Sequence, residues 1–198
     1  MPKIYSDKER NDIRRRLKES AAHCMQMQGI KKTTVDELVS KVQIPKGTFY
    51  LFYKTKEELM FEVLLDIHDR VEKEMFTEMM RIKDNVTVDN LTEVIFKFYQ
   101  VIDDSGILRI LTSGEIELLY RKLPPEVLQE HFAHDDSMID GIIKLLNLPD
   151  AKDAEVFSTA FRNLFMSTMY RKDMKEDYFD ESLKLTIRGL VIQLINKK

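Results

Sequence analysis

Apolar residues in the first part of the chain recur at helical spacing. Ile13, Leu17, Ala21, Cys24 and Met25 share one face of a helix predicted from about Ser6 to Gln28, while Arg14, Arg15 and Lys18 point elsewhere. Gly29 supplies the left-handed residue that ends it. Thr34 then caps a second, short helix, with Glu37 three residues on as the reciprocal half of a capping box and Val35, Leu38, Val39 and Val42 as its apolar face. The stretch "VQIPKG" breaks the period, and Pro45 suits the first turn of a third helix over roughly 45 to 51, where its missing amide costs nothing. Thr55 and Glu58 mark a fourth start. Leu59, Val63, Ile67, Val71 and Met75 carry that helix to about Lys83, long enough to connect two regions.

Later elements are less sharply punctuated. "DNVTVDN" is a loop leading into a helix over about 88 to 103, and Ser105-Gly106 and Ser113-Gly114 frame shorter pieces. Pro124-Pro125 opens another that reaches about Leu146, "NLPD" ends it, and two helices over about 151 to 172 and 180 to 196 close the chain. The expected architecture is all-α with about nine helices: a three-helix N-terminal domain over 1–54 and a larger helical domain over 55–198. Composition agrees, since 43% hydrophobic residues, only six Gly and five Pro, and no strand-like alternation leave little material for a sheet.

Charge adds a direction. The net charge of -3 divides into +7 over residues 1 to 56, where thirteen Lys/Arg face six Asp/Glu, and -10 over the remainder. A basic N-terminal unit on an acidic body points to a localised anionic partner, nucleic acid first among them. The single cysteine, Cys24, forms no intrachain disulfide, and the sequence has neither an apolar signal segment at its start nor a run long enough to span a membrane. A cytoplasmic protein is expected, so the sequons at Asn85 and Asn90 carry no weight.

The segment "TTVDELVSKVQIPKGTFYLFYKTKEEL", residues 33 to 59, concentrates four aromatics and four lysines. Two short helices joined by a brief turn and braced by a longer first helix form a helix-turn-helix unit, whose second helix enters the major groove of DNA. That helix would present Lys46, Gly47, Thr48 and Tyr50, with Phe49 turned inward; Gly47, having no side chain, lets the backbone approach closely. Thr33, Thr34, Lys54 and Lys56 lie at or beside helix starts, where hydroxyls, amides and cations suit phosphate.

At these residues the chain resembles a known family. "GIKKTTVDEL" followed by "IPKGTFYLFYKTKEEL" is similar to the signature of the tetracycline-repressor (TetR) family of transcriptional regulators, over about residues 10 to 62. The resemblance places Thr48, Phe49 and Tyr50 on the recognition helix and Lys56 at the lysine that opens helix four. Gln43 stands where the family often has a turn glycine, Pro45 where it often has a capping serine, and Phe52 where it often has His or Tyr. The resemblance implies a double-stranded DNA operator, a C-terminal pocket for a small effector of unknown identity, and a homodimer.

The residues themselves support an interface at the last two helices. "AEVFSTAFRNLFMSTMY" mixes large and small apolar groups, and "LKLTIRGLVIQLI" is apolar around most of its circumference, so it needs burial by another surface. For a pocket, Phe96, Tyr99, Tyr120, Phe132, Phe165 and Met169 with Glu117 and His131 are the candidates, against the alternative that these side chains are ordinary core. In "HFAHDD", His131, His134 and Asp135 are helical neighbours, but a third ligand of known position is missing, and no metal or cofactor is expected. No phosphate-binding glycine motif, nucleophile elbow or paired catalytic motif is present, so an enzyme is not expected. Competing readings are a DNA-binding scaffold that recruits a protein partner and a helical enzyme with convergent titratable groups in a cleft.

Overall fold

The computed structural model describes residues 5–105, 110, 113–126, 151–168, 171 and 176–196. Among them every regular element is a helix: α1 (Asp7–Lys32), α2 (Val35–Val42), α3 (Lys46–Phe49), α4 (Lys56–Ile82), α5 (Val88–Asp104), α6 (Glu115–Tyr120), α7 (Ala151–Thr168) and α8 (Glu176–Asn196). None is long and apolar enough to cross a membrane. The chain divides into two compact units, Met1–His68 with Arg109–Pro124, and Asp69–Leu108 with Pro125–Lys198. The division thus falls inside α4, fourteen residues beyond the expected boundary at 54, and α6 joins the first unit although it follows α5 in sequence.

The first unit is built on α1. Ser6 accepts from the Glu9 amide while the Glu9 carboxylate accepts from the Ser6 amide, a reciprocal cap that fixes the start. Ile13, Leu17, Ala21, Cys24 and Met25 are buried, as their period requires. At Gly29, φ reaches +84°, so the helical path breaks there and a further turn continues to Lys32. Thr34 caps α2 by accepting from the Glu37 amide at 3.2 Å, but the Glu37 carboxylate takes a 2.6 Å hydrogen bond from Gln28 and does not return to Thr34. Only half of the expected capping box therefore forms.

The second unit packs α5 against α8, with α7 beside them. Phe179, Leu183, Ile187, Val191 and Leu194 make one buried stripe along α8 and meet Leu91, Val94 and Tyr99 of α5 and Phe157 of α7. Thr87 and Asn90 form the capping box at the start of α5, in the segment expected to be a loop leading into a helix. Arg171 donates to Asp103, pairs with Asp180 at 3.3 Å and stacks over Phe179 at 5.0 Å, which fixes the entry to α8. The last helix begins four residues earlier than its pattern predicts, because Phe179 at its N-terminal end is a core residue.

Candidate nucleic-acid interface

The turn between α2 and α3 follows from backbone hydrogen bonding. Gln43 adopts φ 58°, its amide donates to Ser40 O at 3.2 Å, and the Ile44 amide donates to Val39 O at 3.1 Å, a Schellman closure. A glutamine occupies the left-handed position usually given to glycine, at some cost, and the turn still forms. Pro45 then leads into α3, with the Thr48 amide on Pro45 O at 2.8 Å. Beyond Phe49 the chain continues in tight turns to Tyr53, closed by Phe52 and Tyr53 amides on Phe49 O. Phe49 is fully buried and meets Tyr50 edge-on at 5.4 Å and Tyr53 at 5.9 Å.

The expected contact residues separate into two groups. Lys46, Gly47, Tyr50, Thr34 and Lys54 are exposed. Tyr50 is 52% exposed and Gly47 has open space where a side chain would stand. Lys46 pairs with Asp36 at 2.9 Å, a link between α2 and α3 that raises the lysine pKa through the hydrogen bond first and the charge second. Leu51 is also 52% exposed beside Tyr50, a position the hydrophobic pattern would assign to the core.

Thr33, Thr48 and Lys56 are engaged inside the unit. Thr33 is 0% exposed and donates to Gly29 O at 2.7 Å, filling a helix-end carbonyl. Thr48, expected on the reading face, is 6% exposed, with its hydroxyl 3.2 Å from the Tyr5 hydroxyl. Lys56 donates to the carbonyls of Ile30, Lys31 and Thr33, with a well-formed bond of 2.9 Å to Ile30 O. The reason is the same for the threonine at 33 and the lysine: the last carbonyls of α1 have no helical partners and carry the negative end of the helix dipole, which draws donors to them.

The amide side of that turn is held as well. Glu115 of α6 accepts from the Ile30 amide at 2.7 Å and from the Lys31 amide at 3.2 Å. A Cβ on Gly29 would stand 2.5 Å from a Glu115 oxygen, so the close approach requires glycine. Nearby, the Glu37 carboxyl is held below the usual carboxylate range chiefly by Gln28, with help from Cys24 and Lys41 and against some desolvation. Burial pushes the Tyr53 hydroxyl far above its ordinary value, which leaves it a neutral core group.

The expected effector-pocket residues that are described fall in both units. Glu117 and Tyr120 lie on α6 of the first unit. Phe96, Tyr99 and Phe165 lie in the second unit's core, where the Tyr99 hydroxyl donates to Phe161 O at 2.7 Å and the Lys184 ammonium sits 5.5 Å from the Phe96 ring centre. His131, Phe132, His134, Asp135 and Met169 lie outside the described residues. Within the second unit a shallow cleft lies between α4 and α5, lined by Val71, Met75, Val94, Phe98, Glu78 and Lys97 among others, with an internal volume of only about 10 Å³. Glu78 and Lys97 pair across it at 2.6 Å, and the Glu78 carboxyl is held low mainly by that hydrogen bond.

Comparison with known proteins meets the geometry at the same residues. The signature of the bacterial regulatory proteins, tetR family, matches residues 17–63. An uncharacterized HTH-type transcriptional regulator, YdgC of Bacillus subtilis (strain 168), is 28% identical over 106 residues, 50% of this chain; the match spans about half, 52%, of that relative. A solved structure from Mesorhizobium loti MAFF303099 assigned to the TetR family superposes with a TM-score of 0.71 at 16% identity, covering 94% of this chain and 96% of that one. A transcriptional regulator of the TerR/AcrR family from Aquifex aeolicus VF5 gives 0.58 at 20% identity, with 92% and 99% covered. Thermus thermophilus FadR, a TetR-family transcriptional repressor solved in complex with lauroyl-CoA, gives 0.54 at 21%, with 93% and 94% covered. The helix-turn-helix thus lies inside the segment that matches the N-terminal signature of the bacterial regulatory proteins, tetR family, and the fold is similar to that of the solved structures assigned to that family.

Proposed function

We propose that the protein is a DNA-binding transcriptional regulator, acting as a homodimeric repressor that a small effector releases from a palindromic operator. The carrying observation is the helix-turn-helix itself: a buried Phe49 anchors α3 while Lys46, Gly47, Tyr50 and Leu51 stand exposed beside it. Cation, backbone, hydroxyl and apolar group are what base edges and phosphates accept in the major groove. The two α3 helices of a dimer would then meet half-sites about one helical turn, roughly 34 to 36 Å, apart.

The dimer reading rests on exposed apolar groups. On α8, Tyr178, Leu185 and Ile192 are exposed at seven-residue spacing, opposite the stripe buried in its own unit, and Val156 and Met166 are exposed on α7. An α7–α8 pair from each of two chains makes a four-helix bundle that covers them. The effector would be small and apolar or amphipathic. Support comes from the lauroyl-CoA held by the related fold of FadR. Its binding lowers DNA affinity to the extent that it prefers a conformer with another half-site spacing, and α4, which contributes to both units, is the element that transmits the preference. Gel-shift titration across the DNA upstream of the gene, repeated over a salt series, tests the reading: one fragment retained at salt concentrations that release the others is expected. Equal release of every fragment would overturn it.

A further inference from the structure

Several cations of the first unit already have partners. Arg15 pairs with Asp12 and Glu19, Arg16 donates to Val42 O and Lys18 meets Glu62 and Asp66. Lys41 pairs with Glu37, Lys46 with Asp36, and Lys56 is bound to carbonyls. Arg10 and Arg14 differ. Both are exposed, and among the described residues neither side chain pairs with a carboxylate. Each is held against a ring from the exit of α3: the Arg10 guanidinium lies 5.1 Å from the Phe52 ring centre, and that of Arg14 lies 5.9 Å from the Tyr53 ring centre. With Tyr5 against Thr48, these contacts make three rungs between residues 5–14, at and just before the start of α1, and residues 48–53, at the end of α3 and just beyond it.

We infer that Arg10 and Arg14 form a second, ring-mounted phosphate clamp for duplex DNA, beside the α3 reading face. This rests on the DNA-binding function proposed above. A guanidinium stacked on an aromatic face keeps its edge donors free, and the ring restricts its rotamers before a ligand arrives, so less freedom is given up on binding. Phosphate takes two parallel hydrogen bonds from such an edge. Phe52 has no hydrogen-bonding group of its own; its half-buried ring serves as the platform, and it is a positioning residue. Continuity favours DNA phosphate as the occupant, because the rungs join the same short segment that carries Tyr50 and Leu51.

The test is fluorescence anisotropy of a labelled mixed-sequence duplex against the full-length chain over a salt series, with thermal melting of each variant. Wild type should bind with a steep fall of log affinity against log salt. R10A and R14A should each flatten that slope by about 0.9 for every phosphate they no longer neutralise. R10K, which keeps the charge, should retain the slope, F52A should weaken binding although every charge remains, and R15A, already paired with carboxylates, should match wild type. If wild type binds and R10A and R14A keep its slope, the clamp is overturned while the DNA-binding reading stands. A fall in melting temperature for R10A with no change of slope also overturns it, by making the stack structural. Absence of salt-dependent binding by wild type removes both.

Discussion

Gly29 and Gln43 show how two single backbone positions set the helix-turn-helix. Both have positive φ, but only the first is glycine. For Gly29→Ala the new methyl would meet the Glu115 carboxylate and the residue would sit in a backbone region that side chains disfavour; a loss of about 1–3 kcal/mol is expected in urea unfolding. Gln43→Gly works the other way, because relief of a left-handed conformation worth about 1–2 kcal/mol outweighs the added freedom of the unfolded chain. A gain of up to about 1 kcal/mol in the same measurement is the expected result. The distinction between the two was half visible beforehand. "GIKK" announces a glycine-ended helix, whereas nothing local in "KVQIP" says that glutamine will take the strained position, since the Schellman closure depends on Ser40 and Val39 carbonyls becoming available.

The helices themselves were legible because their apolar positions repeat and their starts carry Ser, Thr and acidic residues. The starts at Ser6 and Thr34, the α4 core positions and the extent of α5 follow from those signals. What was not legible is where long polar side chains reach. Lys56, read by position as a phosphate ligand, ties the start of α4 to the end of α1 across 26 residues. Lys56→Met should therefore cost about 1.5–3 kcal/mol of stability in the absence of DNA, the range for hydrogen bonds to a charged group, as measured by chemical denaturation. Were its role purely in DNA contact, stability would be unchanged and only affinity would fall. Thr33 and Thr48 illustrate the same limit, since a threonine is equally suited to a phosphate and to a buried carbonyl or hydroxyl, and only packing chooses.

At the scale of the molecule, α8 carries two apolar faces with different destinies. Ile187 is 0% exposed in its own unit and Leu185 is 72% exposed. Ile187→Ala should unfold the second unit more easily by about 2–5 kcal/mol, whereas Leu185→Glu should leave the circular dichroism of the fold intact and, on the proposed homodimer reading, give a monomer in light scattering where the unsubstituted chain gives a dimer. Dimer persisting in that variant would move the interface elsewhere. The sequence alone determined the class of the fold, the helix-turn-helix and the presence of surplus apolar surface on the last helix, because hydrophobic period, capping chemistry and charge balance act over a few neighbouring residues. Tertiary structure decided the rest: which face of α8 is buried, that α6 returns to the first unit and docks Glu115 on the amides beside Gly29, and which of the N-terminal cations remain open. Those outcomes depend on partners tens of residues away, and a side chain's reach to an unsatisfied backbone group or a ring is fixed only when the chain has brought the two together.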